Sequence, residues 1–136
     1  MIEFGKARVA IVCGGRGYGE AHGGNTSWVA QQQKVFDVLD KAVGHLGMEA
    51  IVQGGASGAD YCAYLWAQAR GFPCGSFPAD WQTYGSRAGP LRNQQMLDEA
   101  KPTWVIAFPG GRGTRNMCFL AERAPGVAVY RIGWKP

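Results

Sequence analysis

Apolar residues are arranged along the chain in two alternating ways, and each predicts a different element. Short continuous runs bounded by glycine or proline read as strands buried on both faces. Longer segments with apolar residues every three or four positions read as helices with one buried face. The first run, RVAIVC at 8–13, is rich in β-branched residues and stops at Gly14 and Gly15. The period then changes. In NTSWVAQQQKVFDVLDKAVGHLG, residues 25–47, the residues Trp28, Val35, Phe36, Leu39, Ala42, Val43 and Leu46 share one helical face, while Gln32, Lys34, Asp37 and Lys41 mostly point away. Asn25, Thr26 or Ser27 can cap its start, and Gly47 can end it.

The same alternation continues to the end. EAIVQ at 49–53 predicts a second strand, GGASGAD its turn, and ADYCAYLWAQARG a helix closed by Gly71. PCGSF at 73–77 predicts a short third strand, followed by a long loop, PADWQTYGSRAG at 78–89. Loops of that length in a small domain usually carry function. Pro90 suits the first turn of a helix over 90–100. TWVIAF at 103–108 is the fourth strand, RGTRNMCFLAERA at 112–124 a helix, and GVAVYRI at 126–132 the fifth strand. Near-continuous apolar strands alternating with helices predict an α/β fold. It is a single Rossmann-like, doubly wound parallel sheet of about five strands, order 3-2-1-4-5, with helices on both faces.

Composition narrows this picture. At 136 residues the chain is expected to form one domain, 1–136, with a single closed core. Its 21 glycines and 7 prolines sit at the ends of apolar runs, which marks tight turns rather than a low-complexity tract. The net charge of +4 suits an anionic ligand. Because the basic residues are scattered, without a basic stripe, nucleic acid is disfavoured as a partner. Cys13, Cys62, Cys74 and Cys118 form no CxxC pair, and His22 and His45 are the only histidines, so metal is discounted and no cofactor is expected. The absence of a signal segment or membrane-length apolar run leads to an expectation of a soluble, cytoplasmic protein with no membrane partner.

Candidate chemistry lies in three glycine turns: VCGGRGYG after the first strand, VQGGASGAD after the second and AFPGGRGT after the fourth. In a parallel sheet all three emerge at one edge, where glycines permit close ligand approach and amides at helix starts attract anions. None is a full GxxxxGK[ST] loop, and none matches GxGxxG cleanly. The expected ligand groups are Gly14, Gly15 and Arg16 in the first turn, and Gly54, Gly55, Ser57 and Asp60 in the second. Pro109, Gly110, Gly111, Arg112, Gly113 and Thr114 supply the third. Arg92 can make a bidentate phosphate contact, and Asn93 a contact to base or ribose. Asp80 and Trp81 in the long loop can lid the pocket. Tyr18 can stack a base or pack its loop, and Ser57 or Asp60 can instead cap the second helix.

VCGGRGY, QGGASGAD, FPADW, GPLRNQQM and AFPGGRGT, in this order over residues 8–132, resemble the small YspA-like family with the DUF2493 domain, part of the SLOG superfamily. That superfamily also contains DprA and the LOG phosphoribohydrolases. The resemblance implies a Rossmann-like sheet and a pocket for a nucleotide or nucleotide-derived small molecule, such as an ADP-ribose derivative. It also implies assembly as a homodimer or higher homo-oligomer. LOG enzymes pair an arginine, matched here by Arg92, with a PGGxGTxxE signature whose glutamate serves glycosidic cleavage. At its ninth position stands Met117, a thioether that can neither give nor take a proton. The expected role is therefore binding or sensing. The first alternative is a LOG-like hydrolase of nucleoside monophosphates, with Arg92 and Asp60 as catalytic candidates. The second is DprA-like binding of single-stranded nucleic acid.

Overall fold

The three central apolar runs become strands covered on both faces, whereas the two edge strands, at 74–76 and 128–131, are partly or largely exposed, contrary to a reading of every strand as buried. In the computed structural model, which describes residues 7–21 and 26–136, β1 (Val9–Cys13), β2 (Ala50–Gln53), β3 (Cys74–Ser76), β4 (Trp104–Ala107) and β5 (Ala128–Arg131) form one parallel sheet. The strand order is β3-β2-β1-β4-β5, as the alternation predicts. Register is set by Val9 beside Ala50, Ala10 beside Trp104, Ile51 beside Cys74 and Trp104 beside Ala128.

Alternate residues of β1 feed two cores. Ala10 and Val12 pack with Val35 and Leu39 of α1 (Ser27–Leu46) and with Ala63 and Trp66 of α2 (Ala59–Arg70). Val9, Ile11 and Cys13 pack on the other face, against residues of α4 (Ala88–Ala100) and α5 (Arg112–Glu122) such as Met96, Leu97, Met117 and Cys118. The crossover direction reverses between β1 and β4, so a crevice is expected beyond the carboxyl ends of those two strands.

The long connection after β3 departs from its sequence reading. It contains a four-residue helix α3 (Trp81–Tyr84) and a 3-10 turn (Gly85–Arg87), and α4 begins at Ala88, two residues before Pro90. Asp80 explains the difference: its carboxylate accepts the Thr83 N–H at 3.1 Å and so starts a helical turn. At α1, Thr26 holds the cap position without a side-chain hydrogen bond, and Asn25 lies outside the described residues. Gly47 closes that helix in a left-handed conformation, at φ +71°. No helix among the described residues is long and apolar enough to cross a membrane.

Candidate functional site

The glycine turns after β1, β2 and β4 meet at the carboxyl edge of the sheet and hold one another. Gly15 N–H donates to Pro109 O at 2.9 Å, and Gly15 O accepts the Ala59 N–H at 3.1 Å. The first turn is thus clamped between the other two. This close approach dictates the glycine at position 58. Its φ is +77°, and a Cβ there would strike Gly15 O and the carbonyl of Arg16.

The turn after β2 is closed by its own side chains. One oxygen of Asp60, Oδ2, accepts the amides of Gly54 at 3.1 Å and Ala56 at 3.2 Å, while Gln53 Oε1 accepts that of Gly55 at 2.6 Å. Asp60 therefore braces the preceding turn rather than capping α2. Ser57 does not cap it either, because Gly58 holds that position and the Ser57 hydroxyl donates to Arg16 O at 3.0 Å. Burial pushes the Asp60 carboxyl up to about 6, against the opposing pull of those amides and of Arg92. Its other oxygen, Oδ1, has no protein hydrogen bond among the described residues and is not sealed from solvent.

Arg92 and Asn93 tie this closed turn to α5. The Arg92 guanidinium donates to Gly54 O, to Phe77 O at 3.3 Å and to Asn93 Oδ1 at 3.0 Å. Asn93, only 4% exposed, donates onward to Gly113 O at 3.1 Å and to Asn116 Oδ1 at 2.9 Å. Its amide is fully engaged by the protein. Burial lowers the Arg92 pKa from its ordinary value, but the group stays cationic.

The turn after β4 is different. Gly111 caps α5 without a side-chain hydrogen bond, and the Arg115 N–H is the first to reach back, to Gly111 O at 3.0 Å. The amides of Arg112, Gly113 and Thr114 have no partner inside the helix. These residues, with Gly111, line a cleft of about 810 Å³ at the β1–β4 switch point. Among the described residues three cations, Arg16, Arg92 and Arg112, line it against one acid, Asp60, so it attracts anions.

Most residues expected from the sequence converge there. Gly14, Gly15, Arg16, Gly54, Asp60, Trp81, Arg92, Asn93, Gly111, Arg112, Gly113 and Thr114 all line the cleft. Gly55 and Ser57 line a side lobe of about 300 Å³ with Pro78 and Ala79. Asp80, Pro109 and Gly110 line neither: Asp80 starts α3, Pro109 receives Gly15, and Gly110 is packed under the Thr114 hydroxyl. Tyr18 stacks on Phe108 with ring centroids 5.6 Å apart and packs its loop. Sequence reasoning did not place Cys13, Ala56, Ser86, Gly89, Pro90, Met96 and Asn116 at the cleft. Gly89 is the first residue of the quoted GPLRNQQM motif, and a helical reading of 88–100 places it on α4 with Arg92 and Asn93. Met117 is fully buried in the core, and no acidic side chain reaches the cleft from α5.

The arrangement matches a known family. Residues 8–84 match the model of the YspA, cpYpsA-related SLOG family, more than half of the chain. The chain belongs to that family. It is also 41% identical over 93 residues to the Gene 61 protein of Mycobacterium phage D29, covering 63% of this chain and 73% of that one. The family match spans β1 to α3, so it includes the first two glycine turns and Trp81 and ends before Arg92 and the α5 turn.

Proposed function

We propose that this SLOG-family chain binds a nucleotide or nucleotide-derived anion in the cleft, as a sensor, carrier or sponge, with phosphate oxygens on the α5 amides. One observation carries the reading: the start of α5, which has no side-chain cap, lines a cleft at the sheet's switch point together with, among the described residues, three arginines and one acid. Family membership supports it at the level of a nucleotide-related, Rossmann-like role. Calorimetric titration with AMP, ADP-ribose, NAD and cyclic nucleotides tests it. A dissociation constant below millimolar is expected for at least one of them, weakening with salt. No binding across the panel would refute the reading.

A second reading, hydrolysis of an N-glycosidic bond, is favoured by Asp60. Release of free base from AMP, lost in Asp60→Asn with AMP binding retained, would establish turnover. Binding without base release confines the protein to capture.

A further inference from the structure

The indole of Trp81 is 45% exposed on a four-residue helix, yet its position is defined from two sides. Its benzo end lies against α4 at Gly89, where an added Cβ would sit 3.3 Å from Cη2. Its face is covered by Arg16, with Cζ 4.9 Å from the ring centroid. Both residues stand where the main cleft joins the side lobe, since each lines both spaces. The lobe is small, and apart from Arg16 and Arg92 its lining is uncharged: Gly54, Gly55, Ala56, Ser57, Pro78 and Ala79 beside the Trp81 indole.

We propose that the side lobe is a slot for an aromatic base, with Trp81 as its stacking platform and Arg16 as a movable guanidinium that a ligand phosphate draws off the ring. The inference rests on the reading of the main cleft as a phosphate site, and it specifies the ligand further: a phosphate joined to an aromatic base. Arg16 and Arg92 differ in the property that matters. Arg92 is tied to Gly54, Phe77 and Asn93, whereas no side-chain hydrogen bond or ion pair holds the Arg16 guanidinium among the described residues. A cation on a solvent-exposed ring is held weakly, and a phosphate competes for it with charge-assisted hydrogen bonds. Once Arg16 turns toward the phosphate, the uncovered face of the indole is open to a base from the lobe side. The opposite end of the ring stays braced on Gly89.

Titrating the full chain with AMP, ribose 5-phosphate and adenosine tests this. Trp81→Leu weakens AMP about tenfold and leaves ribose 5-phosphate unchanged, whereas Trp81→Phe, which keeps a ring, falls between. Arg16→Ala gives opposite signs: AMP binds more weakly and adenosine more tightly, because the platform is bared. The proposal is overturned if Trp81→Leu leaves AMP within twofold of wild type, weakens ribose 5-phosphate equally, or if Arg16→Ala weakens adenosine. Ribose 5-phosphate binding as tightly as AMP in wild type removes the slot alone. Failure of both to bind removes the phosphate site and the slot together.

Discussion

The turns after β2 and β4 look alike as text, GGASGAD and PGGRGTRN, and end up with opposite roles. In the first, Asp60 and Gln53 accept the amides of Gly54, Gly55 and Ala56, so the backbone is satisfied from within. In the second no side chain caps α5, and its first residues line the cleft. The difference is in the acceptors within reach, Asp60 and Gln53. An aspartate in the first turn of the helix closes a glycine turn; an arginine, glycine and threonine there leave it open. A glycine pair after a strand therefore marks close backbone approach, and the neighbouring side chains decide what the amides approach.

The largest effect should come from breaking the clamp between turns. Gly58→Ala places a methyl against the backbone of Gly15 and Arg16 in a left-handed conformation, where no flexible side chain can give way. A loss of about 3 kcal/mol or more is expected in urea denaturation. A loss below about 1 kcal/mol would mean that the turns are not in contact.

Next comes the acid that closes the β2 turn. Asp60 is protonated up to about 6 in the folded chain, against an ordinary 3.8. Between those values the folded state holds a proton that the unfolded state has lost. Its contribution to stability is therefore full below 3.8 and lost as pH rises through about 6. At 1.36 kcal/mol per pH unit this amounts to about 3 kcal/mol. Asp40, Asp80 and Glu122 are held below their ordinary values by hydrogen bonds, chiefly from Arg70, Thr83 and Arg131, and act in the opposite sense at lower pH. Asp60→Asn keeps the acceptor and removes the titration, so the decline between pH 4 and 6 should flatten. An unchanged slope in urea midpoints would show that Asp60 is not its source.

Arginines separate the two turns by a smaller margin. Arg92→Ala frees Gly54 O, Phe77 O and Asn93 Oδ1, and should cost about 2 kcal/mol of stability. Arg112 is exposed at the open turn. Its removal should leave stability within about 0.5 kcal/mol while lowering AMP affinity and the salt dependence of binding. Equal destabilisation by both variants would abolish the distinction.

Strand order and the convergence of three turns were legible because buried parallel strands leave an unambiguous apolar pattern and short turns fix which edge they share. The segment around Trp81 was not, because four helical residues with no buried position have no periodicity to read. The division of labour between turns was also hidden. Arg92 and Asn93 act across distances in sequence that only the folded chain closes: Arg92 is 38 residues from Gly54 and Asn93 is 20 from Gly113. Arg92 and Asn93 line the cleft as the sequence leads one to expect, yet most of their hydrogen-bonding capacity is directed at the protein.

The finest test of the comparison is Gly113→Ala, at the open turn. A Cβ added there meets nothing within 4 Å, and its position inside the start of α5 favours alanine over glycine. Stability should rise by about 0.5 kcal/mol, toward the propensity difference. Affinity for AMP should fall severalfold, because the methyl enters the space through which a phosphate oxygen approaches the α5 amides. Gains in stability and losses in affinity at one atom's cost are the signature of backbone left open for a ligand. If affinity is unchanged while stability rises, the α5 amides are not the phosphate contact, and the anion sits instead among the arginines alone.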